Sequence, residues 1–144
     1  MTGITLREAM TDGEIAACFP VLRALRPHLP DAPGLVAQLA RQRAQGYRLL
    51  AAWRGPEAVG AAGWRLTENL IHGRFAYVDD LVVVATERRS GLGAQLLAAV
   101  ADQAREAGCR RMTLDTGMDN AFAQRFYFRF GMLARGLHFG TDLA

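Results

Sequence analysis

The spacing of apolar residues in the first 45 positions predicts one strand followed by helical segments. Residues alternate over Ile4–Arg7, as is typical of a strand. Thr11–Glu14 has the S/T-x-x-E form of a capping box, which predicts a helix through about Leu25 that Pro20 should kink or divide. A second helix is predicted from about Gly34 to Gln45. Its apolar residues lie on one helical face, at Leu35, Val36, Leu39 and Ala40.

The next block is rich in β-forming residues. Two apolar segments, Tyr47–Trp53 and Ala58–Trp64, flank the turn-forming stretch Arg54–Glu57, and this order is typical of a hairpin. A third strand is predicted over Phe75–Val84, whose second half is strongly β-forming. Strands joined in this way form an antiparallel meander.

The second half of the chain alternates between helix and strand patterns. The pattern predicts a helix over Leu92–Ala107, a strand over Arg111–Asp115, a helix over Asn120–Phe130 and a final strand over Leu133–Phe139. A strand that enters a helix and then a parallel strand makes one right-handed βαβ crossover. We therefore predict an α/β (α+β) fold in a single domain over residues 1–144. Its central mixed sheet is mostly antiparallel, with helices on both faces.

Length and composition narrow the class of protein. The chain has 144 residues, of which 51% are apolar and 22% charged, as in globular domains. The apolar run Leu96–Ala101 is far shorter than the ~20 residues that span a bilayer. The stretch Met1–Glu8 lacks the basic start and apolar core of a signal peptide. We expect a cytoplasmic protein without membrane association.

Charged and metal-binding residue types are dispersed. The net charge is +3, and all 17 basic residues are arginines spread along the chain, which does not favour nucleic acid as a partner. The two cysteines and three histidines show no ligand spacing, so no metal site is predicted and both cysteines are expected to be buried thiols. Any anion site must rely on arginine or on backbone N–H groups.

One loop offers both arginine side chains and free backbone N–H groups. The polar loop after the third strand contains Arg88 and Arg89, and Gly91 and Gly93 open the following helix. Glycines allow an anion to approach the backbone, and the first N–H groups of a helix point toward it. The alternative is that the glycines merely ease a turn from strand to helix. The loop lacks the Lys of a Walker A motif and the third Gly of a dinucleotide fingerprint.

Two motifs resemble the GNAT superfamily of N-acetyltransferases. The family's (Arg/Gln)-x-x-Gly-x-(Gly/Ala) loop corresponds to Arg88–Gly93, and its Asn, Phe-Tyr and helix-ending Gly correspond to Asn120–Gly131, in the family's order and spacing. The resemblance implies direct acetyl transfer from acetyl-CoA to a primary amine within a ternary complex. The amine stays open among arylalkylamines, polyamines, amino sugars, amino acids, protein lysines and N-termini. The superfamily also makes a homodimer an option.

The resemblance assigns residues to the co-substrate acetyl-CoA. The pantetheine arm would pair with the backbone of Leu81, Val82 and Val83, where two strands splay apart. Asn120 would contact pantetheine or a water in the cleft, besides capping its helix. The pyrophosphate would be bound by the backbone N–H groups of Arg88, Arg89, Ser90, Gly91, Leu92, Gly93 and Ala94.

The resemblance also implies catalytic roles. Tyr127 takes the position of the acid that protonates the departing thiolate, although packing in an aromatic cluster is the alternative. Asp79 matches the family's base, while Asp80 is expected to form a structural pair. Adjacent strand residues face opposite sides, so only one of the two carboxylates should reach the cleft. Alternatively, both attract a cationic substrate.

Other interpretations stay open at this level. A module of the same fold could bind acyl-CoA as a sensor without turnover, or the loop could belong to another phosphate-binding enzyme. Arg26 and His28 lie between the first two predicted helices, where the superfamily shapes its acceptor pocket, so they are candidate substrate contacts. Surface or core packing is their alternative role.

Overall fold

The computed structural model describes residues 3–144 and contains one five-stranded sheet. Met1 and Thr2, part of the stretch without signal-peptide character, lie outside the described residues. The first four strands form an antiparallel meander, and the fifth follows a helical crossover, which confirms the predicted mixed, mostly antiparallel sheet. The strands, in spatial order, are β1 (Ile4–Glu8), β2 (Tyr47–Arg54), β3 (Glu57–Asn69), β4 (Gly73–Val83) and β5 (Met112–Leu114).

The first predicted helix is divided in two at Cys18, as Pro20 suggested. Pro20 lies in the first turn of the second piece, where its missing N–H removes no helical hydrogen bond. Thr11 and Glu14 form the predicted capping box. The helices are α1 (Asp12–Ala17), α2 (Phe19–Leu25), α3 (Ala32–Arg43), α4 (Leu92–Glu106) and α5 (Ala121–Phe130).

Helix α3 begins two residues before the predicted start. The Asp31 side chain accepts a 2.7 Å hydrogen bond from the Gly34 N–H and caps the helix, and Pro33 occupies its first turn. A proline in the first turn costs nothing, so the helix can include it. Within residues 3–144, no helix combines the length and apolar character needed to cross a membrane.

Helices cover both faces of the sheet. Ala61 on β3 belongs to the apolar core with α1, α2 and α3. A side chain at its neighbour Gly60 would meet Leu96 of α4 at 3.1 Å. Neighbouring strand residues point to opposite faces, so α4 covers the face opposite α1–α3. The face that carries Ala61 is the one on which the charged residues described below also lie.

The described chain forms two compact units, the first ending at Thr113 and the second spanning Leu114–Ala144. The second contains α5, which ends at Gly131 with a φ of 106°. The predicted strand over Leu133–Phe139 is wrong, because residues 132–144 contain no helix or strand. Its apolar side chains are largely exposed, with Phe139 at 85%. Alternation alone does not make a strand when no neighbour supplies backbone hydrogen bonds. The single-domain organisation stays a prediction.

Candidate active site

A β-bulge interrupts the pairing of β3 with β4. Gly63 pairs with Asp80, but the next residue, Trp64, pairs with Val78, so Asp79 is the extra residue on β4. A bulge bends its strand and redirects the side chains at that point. The two adjacent carboxylates therefore do not follow the simple alternation of a regular strand.

Both carboxylates reach the same face of the sheet. Tyr47 on β2 pairs directly with Arg65 on β3, so their side chains lie on one face. Arg65 bonds to Asp79, and Tyr47 bonds to Asp80. The expectation that the two adjacent carboxylates face opposite sides of the strand is therefore wrong, and the bulge is the reason.

Asp79 forms a bidentate ion pair with Arg65, which is called the Arg65 fork below. The Arg65 Nε donates to Asp79 Oδ2 at 2.8 Å, and the Nη2 donates to Oδ1 at 2.9 Å. These hydrogen bonds raise the pKa of the Arg65 guanidinium above its ordinary value. The Asp79 side chain is 25% exposed, so solvent or a ligand can still reach it. Its carboxylate orientation is fixed by the fork.

Asp80 has two different donors. The Tyr47 hydroxyl donates to Oδ2 at 2.8 Å, and the Arg26 Nε donates to Oδ1 at 3.1 Å. The Arg26 Nη2 also donates to the backbone oxygen of Asp79 at 2.8 Å. Burial, and then the Asp80 charge, raise the pKa of Tyr47 well above its ordinary value. Tyr47 is therefore a neutral donor at physiological pH.

Sequence reasoning missed the role of Tyr47, Gly63 and Arg65. The ring of Tyr47 crosses the space in which a Cβ at Gly63 would lie, 1.7 Å from the hydroxyl oxygen. A glycine inside a strand is a known sign of a bulge or of a close approach, and this signal was available in the sequence. The partners of such a glycine depend on strand register, which the sequence pattern leaves undetermined.

The N-terminus of α4 lacks a side-chain cap. Its N-cap is Gly91 with a φ of 85°, and its first turn contains no acidic residue. In contrast, side chains cap α1, α3 and α5, from Thr11, Asp31 and Asn120. The first N–H groups of a helix have no internal partner and carry the positive end of the helix dipole. The start of α4 is therefore suited to an anion.

The loop before α4 adds positive charge. Arg88 and Arg89 are both exposed, and Arg89 adopts a φ of 69°, which is unusual for a residue with a side chain. The acidic residue of the loop, Glu87, forms an ion pair with Arg54. A Cβ added to Gly91 would meet nothing within 4 Å, so the space in front of the helix start is open.

The predicted cofactor strand lies in β4, ahead of this loop. Leu81, Val82 and Val83 are half-buried. Their partners on β3 are, in order, Ala62, Ala61 and Gly60. The chain thus passes from the two carboxylates, through three apolar residues, to the arginine loop and the start of α4.

Asn120 and Tyr127 belong to the second unit. The Asn120 side chain caps α5 by accepting a 3.1 Å hydrogen bond from the Ala123 N–H, as predicted. Tyr127 is half-buried, and burial raises the pKa of its phenol above the ordinary value. The ring of Phe126 packs edge-on against that of Tyr127, with 5.3 Å between the ring centroids, whereas Phe122 is 87% exposed. The aromatic residues of α5 therefore do not form one uniform buried cluster.

The side chains that bind metals are not grouped in the described part of the chain. Within residues 3–144, no three His, Cys, Asp or Glu side chains could together hold a metal ion. Cys18 and Cys109 are both free and buried, which confirms that they are buried thiols.

Comparison with known proteins identifies the family. The family model described as "Acetyltransferase (GNAT) family" matches residues 11–132, and the chain therefore belongs to the GNAT family. It is 30% identical over 125 residues to the uncharacterised N-acetyltransferase YhdJ of Bacillus subtilis, covering 86% of this chain and 87% of that protein. It is 36% identical over 86 residues to the aminoalkylphosphonate N-acetyltransferase of Salmonella typhimurium, covering 59% of this chain and 54% of that protein.

Solved structures share the fold at lower sequence identity. The aminoglycoside N-acetyltransferase AAC(6')-Iy, solved in complex with CoA, superposes with a TM-score of 0.85 at 21% identity, covering 100% of this chain and 97% of that one. An acetyltransferase of Trypanosoma brucei gives a TM-score of 0.83 at 22% identity, covering 98% and 100% of the two chains. These similarities confirm the GNAT fold, an α/β fold with a mostly antiparallel five-stranded sheet.

Proposed function

We propose that this protein is an acetyl-CoA-dependent N-acetyltransferase that acetylates a primary amine of a small molecule. The observation that carries the proposal is the uncapped start of α4, with Gly91 as its N-cap and two exposed arginines before it, in a chain of the GNAT family. In the reaction, the amine nitrogen attacks the thioester carbonyl in a ternary complex. A C–N bond forms, the C–S bond breaks, and coenzyme A leaves as the thiol.

The residues around the start of α4 fit the diphosphate of coenzyme A. The backbone N–H groups from Arg88 to Ala94 would donate to the phosphate oxygens, and the open space at Gly91 would let the phosphates approach. These N–H groups form the phosphate cradle. The guanidinium groups of Arg88 and Arg89 would add positive charge without entering it. Because Arg54 neutralises Glu87, that carboxylate would not repel the phosphates.

The strand ahead of the loop would position the pantetheine arm. Its backbone N–H and C=O groups at Leu81, Val82 and Val83 would pair with the amides of the arm, as an added strand does. The reactive thioester would then lie toward the start of this segment, next to Asp79 and Asp80. By the family resemblance, Asn120 would contact pantetheine or a water in the cleft, besides capping its own helix.

Asp79 would act as the base for the amine. A lysine-like amine has a pKa of about 10.4 and is almost wholly protonated at pH 7, so a proton must leave before attack. Asp79 is favoured over Asp80 because its carboxylate is more exposed, at 25% against 16%, and because the Arg65 fork fixes its orientation. Asp80 instead bonds the buried Tyr47 hydroxyl, which fits a structural role.

Tyr127 would donate the proton that the leaving thiolate needs. Burial raises the pKa of its phenol, so the group keeps its proton at neutral pH. A thiol has a reference pKa of about 8.5, and donation to the sulfur as the C–S bond breaks lowers the barrier to its departure.

A small-molecule amine as acceptor is supported by the names of similar proteins. One relative is named for aminoalkylphosphonate, and one structural neighbour was solved with a bisubstrate analogue made of CoA and an acetylneamine. Both names describe amines of small molecules rather than of proteins.

Acetyl-CoA binding provides the first test. Calorimetry should show binding to the native protein and at least tenfold weaker binding to Gly91→Val, because a branched side chain at a φ of 85° distorts the cradle. Gly73→Val is the matched control, since Gly73 has a φ of 66°, equally open surroundings and a position at the start of β4, far along the chain from the loop before α4. Native affinity in Gly91→Val would refute the cradle.

Thiol release provides the second test. The native protein should release coenzyme A thiol from acetyl-CoA when small primary amines are added, and mass spectrometry should find the acetylated amine. Binding of acetyl-CoA without transfer to any amine of a broad panel would contradict the enzyme assignment. That result would instead identify an acyl-CoA-binding module of the same fold.

A further inference from the structure

We infer that the acceptor is an amine that also carries an anionic group, a phosphonate or a carboxylate, and that Arg26 binds that anion. The inference rests on the proposed function, because it concerns the acceptor of the same reaction. It selects one class among small-molecule amines and disfavours polycations such as polyamines.

The charges of the four ionised side chains at the β-bulge are balanced. Asp79 pairs with Arg65, and Asp80 pairs with Arg26. An acceptor with several ammonium groups needs an excess of carboxylates, and this pairing supplies none. A molecule with one ammonium and one anionic group matches the alternation of carboxylate and guanidinium.

Arg26 has donors left for a ligand. A guanidinium has five N–H donors, and the hydrogen bonds of Arg26 in the described structure involve its Nε and one Nη2 hydrogen. The side chain is 45% exposed, and its hydrogen bonds to the described residues come from Nε and Nη2 and not from Nη1. Arg65 is less suited to this role, because its fork already bonds both oxygens of Asp79 and its side chain is 37% exposed.

The position of Arg26 favours a short acceptor. It is the C-cap of α2 and reaches across to β4, where its Nη2 contacts the backbone oxygen of Asp79 at 2.8 Å. The candidate base and the candidate anion site are therefore neighbours. Two or three carbon atoms between the amine and the anionic group would span them.

The test compares two anionic amines with a neutral amine of similar length and with a polyamine. Initial rates of thiol release are measured with 2-aminoethylphosphonate, β-alanine, propylamine and spermidine. We expect kcat/KM for at least one of the two anionic amines to exceed that for propylamine tenfold or more, with spermidine below propylamine. The ratio of kcat/KM for 2-aminoethylphosphonate to that for β-alanine then identifies which anion fits.

Two variants separate Arg26 from general charge effects. In Arg26→Gln, the preference for the anionic amine over propylamine should fall at least tenfold. It should also shift toward spermidine, because Asp80 loses its ionic partner. Arg23→Gln is the control, since Arg23 is exposed one turn earlier on α2 and should leave the preference within twofold.

The outcomes distinguish this inference from the proposed function. Acetylation of propylamine or spermidine as efficient as that of the anionic amines overturns the inference and leaves the acetyltransferase standing. An unchanged preference in Arg26→Gln overturns the role of Arg26. No thiol release with any amine overturns both. The comparison of acceptors in the native protein stays decisive even if Arg26→Gln fails to fold.

Discussion

The Tyr47 hydroxyl donates a 2.8 Å hydrogen bond to the Asp80 carboxylate across a strand position that has no side chain, Gly63. Tyr47 is 3% exposed and lies at the start of β2, whereas Asp80 lies on β4. The bond therefore bridges the intervening strand β3. It links the core to the partly exposed carboxylates and gives Asp80 a fixed orientation.

Loss of this hydrogen bond should lower stability. In Tyr47→Phe, a carboxylate that is 16% exposed loses a donor, and we expect the free energy of unfolding to fall by about 2 kcal/mol. Urea denaturation measures the change. Asp102→Asn is the control, because Asp102 is 73% exposed and pairs with Arg105 on the surface, so its effect should stay under about 0.5 kcal/mol. Equal effects of the two variants would contradict the role of Tyr47.

Arg89 combines backbone strain with a favourable charge, and two substitutions separate them. Arg89→Gly and Arg89→Ala both remove the charge, so we expect both to weaken acetyl-CoA binding roughly two- to fivefold, as for a loss of ~0.5–1 kcal/mol. Arg89→Gly should be about 1 kcal/mol more stable than Arg89→Ala, because only glycine adopts a φ of 69° without strain. Calorimetry and urea denaturation measure the two effects. Native affinity in both variants would exclude the Arg89 guanidinium from the phosphate site.

Tyr127→Phe should slow turnover and leave co-substrate binding intact. Loss of a general acid costs roughly 10²- to 10⁴-fold in kcat. The affinity for acetyl-CoA should stay within twofold, since the ring is kept. Steady-state kinetics and calorimetry measure the two quantities, and Phe128→Leu on the exposed side of α5 serves as the control. Native turnover in Tyr127→Phe would remove Tyr127 from the mechanism.

Cys18 should make stability fall at alkaline pH. Burial raises the pKa of its thiol from 9.0 to about 11, so the folded protein holds a proton that the unfolded chain loses first. Its contribution is complete below pH 9 and is lost as the pH rises toward 11. One pH unit corresponds to 1.36 kcal/mol for each proton. Between pH 8 and 10.5, the free energy of unfolding should therefore fall by about 2 kcal/mol more in the native protein than in Cys18→Ala.

Urea denaturation in reductant measures this difference. Between pH 6 and 8 the difference in the free energy of unfolding between the native protein and Cys18→Ala should stay constant, because the thiol is protonated in both the folded and the unfolded protein. The comparison isolates Cys18 from Tyr47 and Tyr127, whose pKa values are also raised and which both proteins retain. Parallel stability profiles up to pH 10.5 would contradict the assignment.

The local features of the chain were predictable from the sequence. The capping box of Thr11, the division of the first helix near Pro20 and the glycine that ends α5 each depend on residues within one or two helical turns. The loop before α4 was predictable for the same reason, since its glycines and arginines are consecutive. The family's motifs lie in these local segments.

The arrangement of the charged residues was not predictable in this way. The fork of Arg65 on Asp79, the contact of Arg26 with Asp80 and the missing strand near Phe139 depend on strand register and on which segments become neighbours. A bulge of one residue turned both carboxylates to one face, against the alternation expected along the strand. The sequence by itself therefore determined the elements and the anion-binding loop, because short-range sterics and hydrogen bonds decide them. Only the tertiary structure decided how the two carboxylates are paired, because their partners are up to 54 residues away and meet them only after the sheet has formed.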